Sequence, residues 1–432
     1  MIKIRIPFAL LCLLPFTLAA QTSPWQTTSS LNTPRAGAAV VQHNDKVYVL
    51  GGIDGGDFLK TTESSRFSKA GHLEPWQHSS PLNEPRGFFA AAAHNNWVYA
   101  VAGGNGPNGH NLLRSVERAR INEDGSLSTW TQEEHALNIP RRCVKVTIMN
   151  GYLYAFGGFG GTLLNTVERA KINADGSLGP WHIEPQRLAI PRYVHALKQV
   201  DGKLLMMGGH EEKGGRGSAH VSISSLNEHN HFKSWQASQP LNAGRYGLTA
   251  AANDNFIYAI GGLNGATYLD NIEYLPTSGD LTKQQWKATL PLSSPRGNMA
   301  VAQYQNRLYI IGGANKQGYY DSVEYIQISD NGELTAASNA STENNPAPAA
   351  RNTIALPHGG VVEESVHSGI YTYIRVTTPE GKEEWIATSH AEHAPGVFIR
   401  YSNGVMMQNF FSRSLQREFP LIRFVSNTQE MH

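Results

Sequence analysis

The sequence predicts an all-β protein: a ring of six repeated four-stranded units followed by a small β-domain. Three observations carry this. Trp25, Trp76, Trp130, Trp181, Trp235 and Trp286 recur at intervals of 51, 54, 51, 54 and 51 residues. Arg35, Arg86, Arg141, Arg192, Arg245 and Arg296 recur at 51, 55, 51, 53 and 51. Glycine pairs at Gly51-Gly52, Gly103-Gly104, Gly157-Gly158, Gly208-Gly209, Gly261-Gly262 and Gly312-Gly313 keep nearly the same beat. One period held by three residue types marks a repeat architecture, in which each unit buries its apolar face only against its neighbours.

Within a unit the elements follow in order. After the arginine comes a run of small apolar residues, such as Ala36-Gly37-Ala38-Ala39-Val40-Val41, which predicts a first strand. A turn follows at Asn44-Asp45, Asn95-Asn96, Asn150-Gly151, Asp201-Gly202, Asp254-Asn255 or Gln305-Asn306. Most of these residues tolerate the positive φ of two-residue hairpins. The second strand (Val47-Tyr48-Val49-Leu50 in the first unit) ends at the glycine pair. A third carries Val116-Glu117, Val167-Glu168, Ile272-Glu273 or Val323-Glu324, and the tryptophan strand is the fourth. The fourth unit departs most, with Leu205-Met206-Met207 for an aromatic strand, a charged insert at Glu211-Glu212-Lys213 and no Val-Glu pair. Trp25 precedes every arginine, and the sixth unit ends at Leu334-Thr335-Ala336-Ala337 without a tryptophan. The N-terminal strand is therefore expected to complete the sixth unit, so that no sheet edge is left unmated. A degenerate seventh unit over 346–356 is the alternative.

The double glycine, the tyrosine shortly before it and the tryptophan at fixed spacing resemble the kelch repeat, over roughly residues 22–338. The resemblance implies a six-bladed kelch β-propeller, with the tryptophans packed between blades.

The N-terminus reads as an address. Lys3 and Arg5 precede an apolar run from Ile6 to Leu18 that ends in Ala19-Ala20, the pattern of a secretory signal peptide over 1–20 with cleavage near Ala20. The run is shorter than the ~20 apolar residues a spanning helix needs, so no stable membrane insertion is expected after cleavage. The expected location is the periplasm or the exterior. Cys12 falls in the leader, which leaves Cys143 as the one mature cysteine, expected to be a small buried apolar residue. With 36 Lys and Arg against 35 Asp and Glu, the net charge of +1 gives no field for nucleic acid.

The propeller is expected over 21–338, a polar linker over 339–356 and a small all-β, barrel-like domain over 357–432. Alternation at Tyr371-Thr372-Tyr373-Ile374-Arg375-Val376, Glu384-Trp385-Ile386-Ala387, Val397-Phe398-Ile399-Arg400-Tyr401 and Phe419-Pro420-Leu421-Ile422-Arg423-Phe424-Val425 predicts five or six short strands. Tyr371, Tyr373, Trp385, Gly404, Met407, Asn409-Phe410, Arg417 and Phe419 give this tail a resemblance to a small periplasmic domain family associated with c-type cytochrome nitrite reductase systems. No Cys-x-x-Cys-His motif is present for a covalent haem, and no cofactor is expected.

The candidate ligand-binding residues are the six arginines, Arg35, Arg86, Arg141, Arg192, Arg245 and Arg296, with Tyr193 and Tyr246 beside two of them. If the arginines ring one mouth of the channel, their forked donors suit the carboxylate of an acidic sugar. The competing reading makes each a repeat residue bonded to loop carbonyls or to a neighbouring blade. Arg142 and Asn298 break the symmetry near the same mouth. His390-x-x-His393, His229-Asn230-His231 and His210-Glu211-Glu212 read as polar loops, and no metal is expected. Tyr319-Tyr320, which breaks the repeat, is a candidate for stacking on sugar.

No catalytic constellation is evident, so the expected role is binding of a partner protein or a glycan. The alternative is a sugar-directed enzyme, because a secreted six-bladed ring resembles the bacterial sialic acid mutarotases. That resemblance implies an arginine-held carboxylate and a His or Glu that moves protons. A copper radical oxidase of the galactose oxidase type needs a cysteine crosslinked to tyrosine, and Cys143 follows the ordinary Pro140-Arg141-Arg142 of its unit.

Overall fold

The structure, a computed structural model, describes residues 23–336 and 356–431, apart from 213–214, 369–370, 389–390, 392, 413 and 426–427. The expected leader, nearly all of the expected linker and His390 lie outside the described residues.

Six antiparallel sheets form the first unit, five of four strands and one, in blade 6, with Leu334–Thr335 added as a fifth. Blade 3 shows the plan: Lys145–Met149 innermost, then Tyr152–Phe156, Val167–Lys171 and His182–Ile183. Every inner strand contacts the inner strands of both neighbours, so the six ring a common axis. The hairpin turns behave as their residues require. Asn44, Asn95, Asn150, Asp201 and Gln305 all hold positive φ. Blade 5 instead uses the Asn253 side chain, which accepts from the amides of Asn255 and Phe256.

Gln26–Thr28 pairs antiparallel with Val323–Ile328 and supplies the fourth strand of blade 6. The first and last strands of the propeller thus share one sheet, and the ring closes on six blades.

The blades are stapled to one another. All six repeat tryptophans are buried. The indole N–H of Trp25, Trp76, Trp130 and Trp286 donates to the carbonyls of Pro291, Ser29, Ser80 and Gln239. The second-strand tyrosines add a further link, each donating its hydroxyl to a turn carbonyl of the next blade: Tyr48 to Gly125, Tyr99 to Gly176, Tyr154 to Asn230, Tyr258 to Gly332 and Tyr309 to Gly71. Blade 4 has Leu205 at this position and makes no such bond.

The glycine pair of blade 2 needs a correction. The arginine of each of the first five blades donates to the carbonyl sixteen residues on: Gly51, Ala102, Gly157, Gly208 and Gly261. The equivalent of Gly51-Gly52 is therefore Ala102-Gly103, not Gly103-Gly104, and Ala102 holds φ +59 as its glycine counterparts do.

The tail forms one seven-stranded sheet rather than five or six short strands. Its order is Val405–Ser412, Arg417–Phe424, Glu383–Thr388, Tyr371–Thr377, His358–Ser368, Phe398–Tyr401 and Thr428–Glu430. Among the described residues the two outermost strands do not pair with each other, so the sheet has two free ends. One buried cluster gathers Val362, Ile374, Val376, Ile386, Ile399 and Tyr401, and a second forms around Tyr373, Ala387, Phe419 and Ile422. Among the described residues no helix is long and apolar enough to cross a membrane.

Candidate functional site

The six arginines do not line a mouth. All are at most 1 % exposed, and the terminal nitrogens of their guanidiniums are turned to partners inside their own blades, although the Nε of Arg86, Arg192 and Arg296 has none. Arg35, Arg86, Arg141, Arg245 and Arg296 are ion-paired with Glu63, Glu117, Glu168, Glu273 and Glu324 of the third strand. The second carboxylate oxygen of these glutamates accepts from the chain just ahead of the arginine: the amides of Asn32, Asn83, Asn138 and Asn242, and the Ser293 hydroxyl. The four asparagine side chains then reach the carbonyls of Trp76, Trp130, Trp181 and Trp286. In four blades the clamp ties the segment leading into the first strand, the third strand and the tryptophan strand together; that of blade 6, with Ser293, ties only the first two. A buried charge is tolerable only when paired in this way, so these arginines hold the blades and offer little to a ligand.

The mouth on this side is built by the two residues that follow each arginine. The second of them forms a collar around the axis: Gly37, Phe88, Cys143, Val194, Gly247 and Asn298, all at positive φ. Their amides donate around the ring, Phe88 to Gly37, Cys143 to Phe88, Gly247 to Val194, Asn298 to Gly247 and Gly37 to Asn298. Among the described residues the step between Val194 and Cys143 is not bonded. Positive φ is a true outlier for a β-branched valine, and such strain gathers at functional sites.

The first residue after each arginine sits on the rim and bridges to the residue that follows the glycine pair. In blades 1, 2 and 6 these pairs are small or aliphatic: Ala36 with Ile53, Gly87 with Gly104, Gly297 with Ala314. In blades 3, 4 and 5 they are Arg142 with Phe159, Tyr193 with His210 and Tyr246 with Leu263. One half of the rim thus carries a run of rings. The centroids of Phe159 and Tyr193 are 5.8 Å apart, those of Tyr193 and His210 5.2 Å, and those of His210 and Tyr246 3.8 Å. Arg142 lies 5.5 Å over the Phe159 ring. His210 was expected on a charged loop tip; it is only 5 % exposed because the two tyrosines enclose it. Its Nδ1 has no partner. Burial lowers its pKa, against a hydrogen bond with the Arg216 backbone that raises it.

Blade 4 is the sector where the repeat fails. Ala189 and Ser222 stand where other blades place the clamp's asparagine and glutamate. Arg192 has instead Glu211 of the rim loop, at 3.9 Å. Glu211 accepts from the Ser218 hydroxyl and contacts Nδ1 of His220, each at 2.5 Å. Burial pushes the Glu211 carboxyl up, but these bonds and the Arg192 charge prevail and hold it below its ordinary value. The loop also packs on blade 5. A Cβ on Gly244 would stand 2.2 Å from the Gly217 carbonyl, which explains why blade 5 has glycine where the other arginines follow proline.

Other sequence candidates are elsewhere. Tyr320 is fully buried beneath Arg296, whose guanidinium lies 4.1 Å over its ring, so it is a core residue. Tyr319 is half-buried, its hydroxyl pushed up to about 12 by burial and by Tyr268 and Asp54 nearby. His231 joins Glu184 and Arg169 across blades 3 and 4. His393 bridges Glu430 and Thr428 inside the tail domain. His210 and its place between two tyrosines were missed because the glycine pair was read as the start of a free loop.

A kelch motif matches residues 34–64 and 140–169, the spans from arginine to glutamate of clamps 1 and 3. The chain is 27 % identical to alpha-scruin of Limulus polyphemus over 254 residues, covering 56 % of this chain and 26 % of that protein. It is 23 % identical to a kelch repeat and BTB domain-containing protein 1 of cowpox virus, covering 57 % of this chain and 42 % of the viral one. The chain therefore spans less than half the length of either. A solved structure titled "Structure of YjhT" superposes with a TM-score of 0.58 at 17 % identity, covering 72 % of this chain and 99 % of that one, a likeness of fold alone. With six blades and an arginine in each, these matches make the first unit of this chain a six-bladed kelch β-propeller.

Proposed function

We propose that this is an exported binding protein whose recognition sector is the rim of blades 3 to 5, and that its ligand is a glycan carrying a carboxylate. Kelch propellers generally serve as interaction scaffolds, and fold alone says no more. The observation that carries the finer reading is the ring run of Phe159, Tyr193, His210 and Tyr246, confined to one half of a rim whose other pairs are small or aliphatic. Flat rings present apolar faces to the C–H faces of sugars, and the buried unpartnered Nδ1 of His210 gains from any ligand hydroxyl that reaches it. Arg142 and Arg216 supply cationic character on the same side.

Titration calorimetry of the mature protein with sialic and uronic acids, against neutral hexoses, tests this. Binding of an acidic sugar weakened about fivefold or more by Tyr246→Ala supports it, since a lost ring contact costs about 1 kcal/mol or more. No heat with any acidic sugar overturns the glycan reading and leaves a protein partner. A second reading, a mutarotase, is favoured by one feature: His210, Glu211 and His220 put titratable groups beside the ring run, as proton transfer at a sugar's anomeric centre requires. Equilibration of a freshly dissolved anomer, followed by NMR with and without the protein, decides it.

A further inference from the structure

Beneath the collar the axis holds a cavity of about 50 Å³. A water molecule takes roughly 30 Å³ of liquid, so there is room for one or two particles of that size. Its wall below the collar is Ala38, Phe89, Val144, Leu248 and Met299, apolar throughout, with one exception. Lys145 opens the inner strand of blade 3 and lines the cavity. The corresponding residues of the other blades are Ala39, Ala90, Ala196, Thr249 and Ala300.

Lys145 makes no hydrogen bond or ion pair among the described residues, and no carboxylate faces it. Its nearest titratable neighbours are Cys143, whose thiol burial pushes up to about 11, and His195. His195 is fully buried in the slot filled elsewhere by Ala38, Phe89, Val144, Leu248 and Met299, and neither ring nitrogen has a partner. Burial, with Lys145 and Arg192 adding to it, drives the imidazole to its neutral form. Neither group can neutralise the ammonium. Lys145 is half-buried, a cation partly withdrawn from water with no counter-charge beside it, and the collar's one unbonded step, at the Val194 amide, opens on the same cavity.

We propose that the axial cavity binds a small monovalent anion of the halide class, held by the Lys145 ammonium and the Val194 N–H. One cation and room for one or two waters suit a single small ion; the space is too small for a sugar acid, which keeps this site distinct from the rim.

The test compares thermal unfolding of the mature protein in sodium chloride or bromide with sodium gluconate at equal ionic strength. At about ten times the dissociation constant the halides raise the melting temperature by on the order of 2 °C, and Lys145→Met removes that rise. Methionine keeps an unbranched stem of similar length to lysine without its charge. Equal halide responses in both proteins overturn the proposal. Should the variant not fold, anomalous scattering from wild-type crystals grown in bromide decides alone: a bromine peak in the cavity supports it, and an empty cavity overturns it.

Discussion

Blade 3 keeps four devices of the repeat that its neighbour blade 4 lacks. Asn138, Glu168, Tyr154 and Val144 in one correspond to Ala189, Ser222, Leu205 and His195 in the other. The losses are not independent. In blade 3 the asparagine amide and the arginine share the two oxygens of one carboxylate, so deleting the glutamate removes a partner from both. Blade 4 has shed the asparagine with the glutamate and brought Glu211 in from the rim. A closed ring tolerates one such blade because each blade is also supported by its neighbours. The comparison teaches that departures from a repeat, rather than its invariant residues, mark where the surface has been given over to something other than folding.

The largest effect that separates the two blades is the loss of the carboxylate. Glu168→Gln leaves Arg141 buried with no charge partner, which costs about 3–5 kcal/mol. Glu211→Gln in blade 4 removes a carboxylate that is 26 % exposed and 3.9 Å from Arg192, too far for the close pairing of the other clamps, and the expected cost is smaller than that of Glu168→Gln. Denaturant midpoints at constant slope measure both. Equal losses break the claim that blade 4 has relaxed its clamp.

His195 sharpens the contrast through pH. Its folded-state pKa lies well below the ordinary value of about 6.5. Above that value folded and unfolded states are both neutral, and the group is silent. As pH falls below it the unfolded chain takes up a proton that the folded chain refuses. Stability then drops by about 1.4 kcal/mol per pH unit until the folded-state pKa is reached. His195→Leu, with the residue blade 5 uses at this slot, removes that component, so the stability difference between variant and wild type grows steadily from pH 6.5 downward. A difference that stays flat over that range shows the imidazole is not held neutral.

Blade number, closure and strand order were legible because they depend on spacing and on apolar runs, which a sequence displays directly. The arginine ring was legible as a pattern that allowed two roles, a ligand site or a repeat residue bonded within the fold, and the buried glutamate pairs favour the second. Its glutamate partners were visible as the Val-Glu pairs, yet only the strand register places Glu168 beside Ala155 and so beneath Arg141. The rim was half legible: Tyr193, Tyr246, Arg142 and Asn298 stood out beside the arginines, whereas His210 needed the bridge between Tyr193 and His210 to bring it in. Lys145 could not be singled out, because an inner strand shows nothing in sequence of which residues meet at the axis.

Ala102 offers the finest test, because it lies in a blade that keeps its clamp. The glycine series, aligned on the carbonyl that receives the arginine, reads Gly51, Ala102, Gly157, Gly208 and Gly261. The φ values of these residues run from 54 to 61. Alanine in this region costs about 1–2 kcal/mol through its Cβ, while glycine adds roughly 0.5–1 kcal/mol of unfolded-chain entropy. Ala102→Gly is therefore expected to stabilise by about 0.5 kcal/mol, read as a small rise in denaturant midpoint, and a loss of stability would show that the Ala102 methyl, fully buried in the cluster with Tyr99 and Val101, packs well enough to outweigh the strain.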